Sequence, residues 1–165
     1  MCGYRLARAL LSDHVRETYK LVIIDAPPRM TLGFINGLCA STHLFVPTLL
    51  DAPSGNAVGR FAQQFSHLAP VANPFLEFAG IIGTMTNTGP ALPKIDKEAA
   101  DSAENGAREK LGEKYSHRAL FIREAVMRRN PDLGRAAAGG MAYFQQPATQ
   151  PMFRQLATAV RGRLK

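Results

Sequence analysis

Asp25 stands at the end of an uninterrupted apolar run, Leu21-Val22-Ile23-Ile24, and is followed by Ala26-Pro27-Pro28. A β-branched-rich run of this kind suits a strand buried on both faces of a parallel sheet. The paired prolines stop any ladder after it. In open α/β sheets, ligands bind beyond the C-terminal ends of the strands, so the run would deliver one carboxylate to a crevice. A carboxylate there can hold a magnesium ion, directly or through water, beside nucleotide phosphates. The prolines would stiffen the following loop, as a segment that responds to phosphate requires. The competing reading is an Asp that caps the next turn.

Other chemistry is harder to find. His14, His43, His67 and His117 are scattered, and none has metal-ligand spacing to a Cys or carboxylate. Cys2 and Cys39 fit neither a disulfide framework nor a zinc site. No Ser/His/Asp or Cys/His nucleophile arrangement is legible. The sequence has no Gly-x-x-x-x-Gly-Lys-Ser/Thr pattern, and Gly3 is the only glycine before Asp25. Phosphates need converging backbone N–H groups and a cation.

Charge divides the chain. The 165 residues carry a net charge of +7. Residues 1–107 hold eight Lys/Arg against nine Asp/Glu, whereas residues 108–165 hold twelve against four. A basic segment after a neutral one points to an anionic partner, nucleic acid first, with a merely solvated Arg-rich surface as the alternative. With 46% apolar residues the composition is that of a globular chain. No apolar run reaches the ~18 residues of a membrane-spanning helix, and nothing at the N-terminus resembles a secretion signal.

The elements that must position these residues follow from periodicity. Leu6, Leu10, Leu11 and Val15 predict a helix over residues 5–17. Thr31 can cap a helix running to about residue 40. Residues 43–46 read as a short strand closed by Pro47. Ser54 can cap a third helix, with Val58, Phe61, Phe65 and Leu68 inward and a break at Pro70. Residues 78–85 read as a strand, 86–93 as a loop and 94–112 as a charged surface helix. Residues 119–122 read as a last short strand, and Pro151 as the first residue of a final helix. Strands alternating with helices imply crossover units and a parallel sheet. The expectation is one α/β domain over residues 1–165: three layers, a mostly parallel sheet with flanking helices.

Taken together, Val22-Ile23-Ile24-Asp25-Ala26-Pro27-Pro28, Thr31, Ile35-Asn36-Gly37-Leu38 and a strand ending in Val46-Pro47 resemble the ParA/MinD/Soj family of deviant Walker partitioning ATPases. Gly80-Ile81-Ile82-Gly83-Thr84-Met85 is similar to the family's later strand beside the base pocket. Phe121-Ile122-Arg123-Glu124-Ala125-Val126 is similar to its last core strand. The likeness is strong over residues 19–51 and looser after residue 90. It implies a P-loop NTPase-like fold that is N-terminally incomplete, the C-terminal part of a ParA-like domain lacking the phosphate-binding loop.

The resemblance also implies roles. Asp25 would be the Walker B carboxylate, holding magnesium and serving catalysis. Pro27 and Pro28 would open the switch loop, and Thr84 and Met85 would lie near the base. Asp51 matches an acidic position in relatives, with helix capping as its structural alternative. ATP and magnesium would be the cofactors. Non-specific DNA would be bound through Arg123, Arg128, Arg129, Arg135, Arg154, Arg161 and Arg163. A ParB-like partner would stimulate hydrolysis, the full-length protein would be a homodimer, and its place would be the cytoplasm, on the nucleoid. Without the loop, the chain alone would bind and hydrolyse little ATP. Two other readings are a non-catalytic DNA- or protein-binding module with a vestigial nucleotide site, and a MinD-like positioning ATPase.

Overall fold

A computed structural model describes residues 4–27, 29–131, 133 and 147–164. Its elements are α1 (Arg5–Leu10), α2 (Asp13–Thr18), α3 (Leu32–Ala40), β1 (His43–Leu49), α4 (Ala52–Ala72), β2 (Glu77–Thr84), α5 (Lys94–Leu111) and α6 (Gln150–Arg163). The architecture is α/β, with a parallel sheet flanked by helices. Two compact units divide the chain, residues 1–44 with 64–78 and residues 45–63 with 79–165.

In the first unit the expected helix over residues 5–17 is two short helices. Ser12, extended at φ −62° and ψ 145°, separates them, and its hydroxyl donates to the Ala9 carbonyl. Ser side chains compete for backbone partners in this way and interrupt helices. α1 packs on α3. α3 starts where its cap predicts, with the Thr31 hydroxyl accepting from the Phe34 N–H at 3.3 Å. Its C-terminal end is held by Asn73, whose side-chain amide donates to the carbonyls of Leu38 (3.2 Å) and Ser41 (2.7 Å). These are acceptors that a helix C-terminus leaves unsatisfied. Phe65 meets Phe78 edge to face, with centroids 5.6 Å apart.

The second unit is built on β2, whose interior is buried at every position, as an apolar run in a parallel sheet requires. Residues 120–122, expected as a strand, pair with it over a single parallel bridge. The Ile81 N–H donates to the Leu120 carbonyl (2.8 Å), and the Ile122 N–H donates to the Ile81 carbonyl (2.9 Å). A 3-10 turn at Arg123–Ala125 interrupts the pairing. It resumes with the Met127 N–H on the Gly83 carbonyl (2.8 Å) and the Arg129 N–H on the Thr86 carbonyl (2.7 Å).

Arg108 clasps the loop that feeds this edge. Its guanidinium donates to the carbonyls of Tyr115, Ser116 and Arg118 and to Glu104, whose carboxylate accepts from the Leu120 N–H at 2.8 Å. α6 covers Ile82, Ile122 and Ala125 with Leu156, Ala159 and Val160. α4 and α5 approach closely because both present small residues. A Cβ on Gly59 would lie 3.6 Å from Gly106, and Ala100, Ala103 and Ala107 form the buried face of α5.

β1 continues two residues past Pro47, which was expected to close it. Among the described residues β1 pairs only with β2, and a proline is tolerated in a strand that pairs on one side. Likewise α4 runs through Pro70 to Ala72. Its cap is not Ser54 but Asp51, whose carboxylate accepts from the Ser54 N–H at 2.7 Å. Hydrogen bonds from the Ser54 hydroxyl and N–H hold the Asp51 carboxyl below the ordinary carboxylate value.

Two outcomes follow from these contacts. Gly80 sits at φ 155°, and a Cβ there would lie 2.7 Å from Ile122 Cδ1 and 2.8 Å from the Leu120 carbonyl oxygen. Gly80→Ala should therefore cost roughly 2–3 kcal/mol or more in denaturant unfolding. Gly162→Ala, with open space around it, should be neutral or slightly stabilising. For Asp51, a depressed folded-state value means that its stabilisation is present above the unfolded carboxylate range and is lost as pH falls through the folded value. Asp51→Ala should lower Tm at pH near 7, and the gap to the parent chain should close in acid below about pH 4.

Candidate nucleotide site and basic face

Asp25 is exposed, and the segment around it is extended but unpaired. Ile24 and Ala26, two positions apart, both face α3 at Gly37. A Cβ on that glycine would lie 3.5 Å from Ile24 Cγ2 and 3.9 Å from Ala26 Cβ. Period-two alternation then turns Asp25 and Pro27 outward, and both are exposed. The expected strand over residues 21–24 is absent: those residues join no ladder among the described residues, and Ile23 is 84% exposed. A strand buried on both faces needs neighbours at both edges, and within the described residues none reaches this run. Pro28 lies outside the described residues.

Thr84 and Met85 close β2 in the second unit. The Thr84 hydroxyl donates to the Thr48 carbonyl at 3.2 Å. Met85 adopts φ 57° with its side chain 69% exposed. Left-handed backbone in a non-glycine residue costs on the order of 1–3 kcal/mol and recurs at functional positions. Just beyond it, Thr86 bridges Arg128 in parallel register. The fold thus brings Thr84 and Met85 together with Arg128 and Arg129 at the C-terminal end of one strand, whereas Asp25 and Pro27 belong to the other unit.

The remaining arginines differ in what they do. Arg123 pairs with Asp101 at 3.0 Å, both about half exposed, a contact of the kind worth ~0–1 kcal/mol. Arg154 and Arg161 are exposed on α6. Arg163 is half-buried and donates to the Ala119 carbonyl at 2.8 Å, so it anchors α6 to the loop before residues 120–122. Burial, then the nearby Arg118 charge, pull its guanidinium below the ordinary value. Arg135 lies outside the described residues. Sequence patterns gave no hint of the Glu104–Arg108 clasp. The spacing of four on one helix was the available signal, but it marks ordinary surface pairs as well.

The residues fit one of the two implied cofactors. A single outward carboxylate such as Asp25 can contribute to magnesium, which keeps waters and phosphate oxygens as its other ligands. Among the described residues no group of three or more His, Cys, Asp or Glu could hold a metal by itself. A triphosphate does not fit this chain alone, because no Gly-rich loop with its lysine occurs in the 165 residues. No described helix is long and apolar enough to cross a membrane.

No protein-family model matches the chain. It is 28% identical over 152 residues to the chromosome-partitioning ATPase Soj of Thermus thermophilus, which covers 90% of the chain and 55% of that protein. It is 26% identical over 141 residues to the cell division protein PomZ of Myxococcus xanthus, covering 86% of the chain and 39% of PomZ. To the chromosome partitioning protein ParA of Caulobacter vibrioides it is 28% identical over 83 residues, half of the chain and 31% of that ParA. The chain therefore spans between about a third and about half the length of the curated relatives it matches. With the run ending at Asp25-Ala26-Pro27, the parallel pairing on β2 and these matches in hand, the chain is a relative of the ParA/MinD/Soj family.

Proposed function

We propose that the chain is part of a partitioning ATPase, carrying its metal-side carboxylate and its DNA-binding face. The observation that carries this reading is Asp25, an outward carboxylate directly after an apolar run and before Pro27, in a chain related to ParA and Soj. In this reading Asp25 helps to hold magnesium beside ATP phosphates, and Pro27 and Pro28 begin the loop that responds to them. Thr84 and Met85 border the base. Nucleotide lies between two subunits of the full-length protein, which acts in the cytoplasm on nucleoid DNA. A ParB-like partner stimulates turnover.

The DNA face centres on Arg128, Arg129 and Arg161, exposed and without ion pairs among the described residues. Arg123 and Arg154 extend it. Arg163 contributes less, since its guanidinium already serves the Ala119 carbonyl. The chemistry is release of counterions from the phosphate backbone, which carries no base information.

Two measurements test this. Fluorescence anisotropy on duplexes of unrelated sequence should give equal affinities. With about three phosphate contacts, affinity should fall about 40-fold between about 50 and about 200 mM salt. Arg128→Glu with Arg129→Glu should abolish binding, and sequence-selective or salt-insensitive binding would overturn the assignment. ATP, titrated at micromolar concentration onto the 165-residue chain, should bind weakly or not at all, for want of a phosphate cradle. Robust hydrolysis by this chain would overturn that expectation. DNA binding indifferent to ATP even in a longer protein that includes the cradle would favour the non-catalytic module.

A further inference from the structure

We propose that residues 20–25 are an interface between two copies of this chain, which pair antiparallel about a two-fold axis between Val22 and Ile23. The inference goes beyond the partitioning reading and does not rest on it. Three observations carry it.

First, the segment is extended and apolar yet exposed. Leu21 is 55% exposed, Val22 44% and Ile23 84%, and Tyr19 beside them is also exposed. Isolated exposed apolar residues are ordinary, but four in five consecutive positions form a patch. Second, the backbone N–H and C=O groups of residues 21–26 have no partner among the described residues. Such an extended segment is a template for a strand from another chain. α3 lies against the Ile24 and Ala26 side chains, leaving the backbone edges open.

Third, the ends are charge-complementary to themselves. Lys20 and Asp25 bracket the run, both exposed, and neither has an ion-pair partner among the described residues. Antiparallel pairing of Lys20-Leu-Val-Ile-Ile-Asp25 with a second copy sets Leu21 opposite Ile24 and Val22 opposite Ile23. It sets Lys20 opposite the partner's Asp25 at both ends. A closed two-fold contact of this kind is self-complementary, with each pair made twice. Opposite charges across a strand pair favour it, and like charges oppose it. A parallel arrangement would instead set Lys20 against Lys20 and Asp25 against Asp25. The Asp25 carboxylate then serves either the partner's Lys20 or a metal ion, so the paired form is the nucleotide-free one.

Sedimentation equilibrium of the 165-residue chain without nucleotide tests this. The parent chain should be a dimer. Ile23→Lys should be monomeric with an unchanged circular dichroism spectrum. Asp25→Lys alone should raise the dimer Kd about tenfold or more, because both end pairs become like-charged. Adding Lys20→Asp to Asp25→Lys should restore the parent Kd, since the swapped ends remain complementary. A monomeric parent chain would overturn the proposal, as would a dimer indifferent to Asp25→Lys or one that the double exchange fails to rescue. None of these results bears on DNA binding, which is measured separately on Arg128 and Arg129.

Discussion

The parallel pairing of residues 120–129 along β2 is the constraint on which the second unit depends. Gly80 makes it possible, because the backbone of Leu120 and the side chain of Ile122 occupy the space a Cβ would need. Once that approach is made, the register follows. Ile81 exchanges hydrogen bonds with the residues on either side of Phe121, and the 3-10 turn at Arg123–Ala125 takes up the slack before Met127 bonds to Gly83. The turn places Ala125 beside Ile122 under α6, and it delivers Arg128 and Arg129 to the strand end where Thr84 and Met85 lie. A buried strand, a glycine and one irregular turn therefore set the position of the basic residues.

The clasp on α5 enforces the same arrangement from the other side. One guanidinium satisfies three loop carbonyls, and the carboxylate that orients it also takes the Leu120 N–H. Loops at sheet edges carry backbone groups that would otherwise compete for water. By binding them to a helix, Arg108 and Glu104 fix where residues 120–122 begin. Arg163 adds a third tie at Ala119.

Elements defined by local chemistry were legible in the sequence. The Thr31 cap, the buried run that became β2, and Pro151 in the first turn of α6 all follow from propensity and period. Features that depend on distant partners were not. The run at residues 21–24 has the composition of a doubly buried strand, but composition cannot supply neighbours, and here it is exposed. Ser54 and Asp51 are both good caps by type; backbone geometry three residues apart chose Asp51. Arg163 reads as a surface cation beside a helix C-terminus, yet its long stem reaches a carbonyl 44 residues away in sequence. The carboxylate at Asp25 was legible as a residue, whereas its outward direction came from the contacts of Ile24 and Ala26 with Gly37.

This distinction changes how the charge of the second half should be read. Twelve Lys/Arg against four Asp/Glu suggests a broad field for nucleic acid. Several of those cations are already engaged: Arg108 by the loop and Glu104, Lys110 by Glu109, and Arg163 by Ala119. A guanidinium that satisfies buried carbonyls cannot turn to a phosphate without leaving those acceptors unpaired, at a cost of about 1–3 kcal/mol for each buried group. Arg123 is different, since an exposed pair with Asp101 opens at little cost. The face available to an anion is therefore narrower than the formal charge. It is centred where the irregular edge of the sheet presents Arg128 and Arg129, so the local fold, more than the net charge of the chain, sets how many phosphates it can meet.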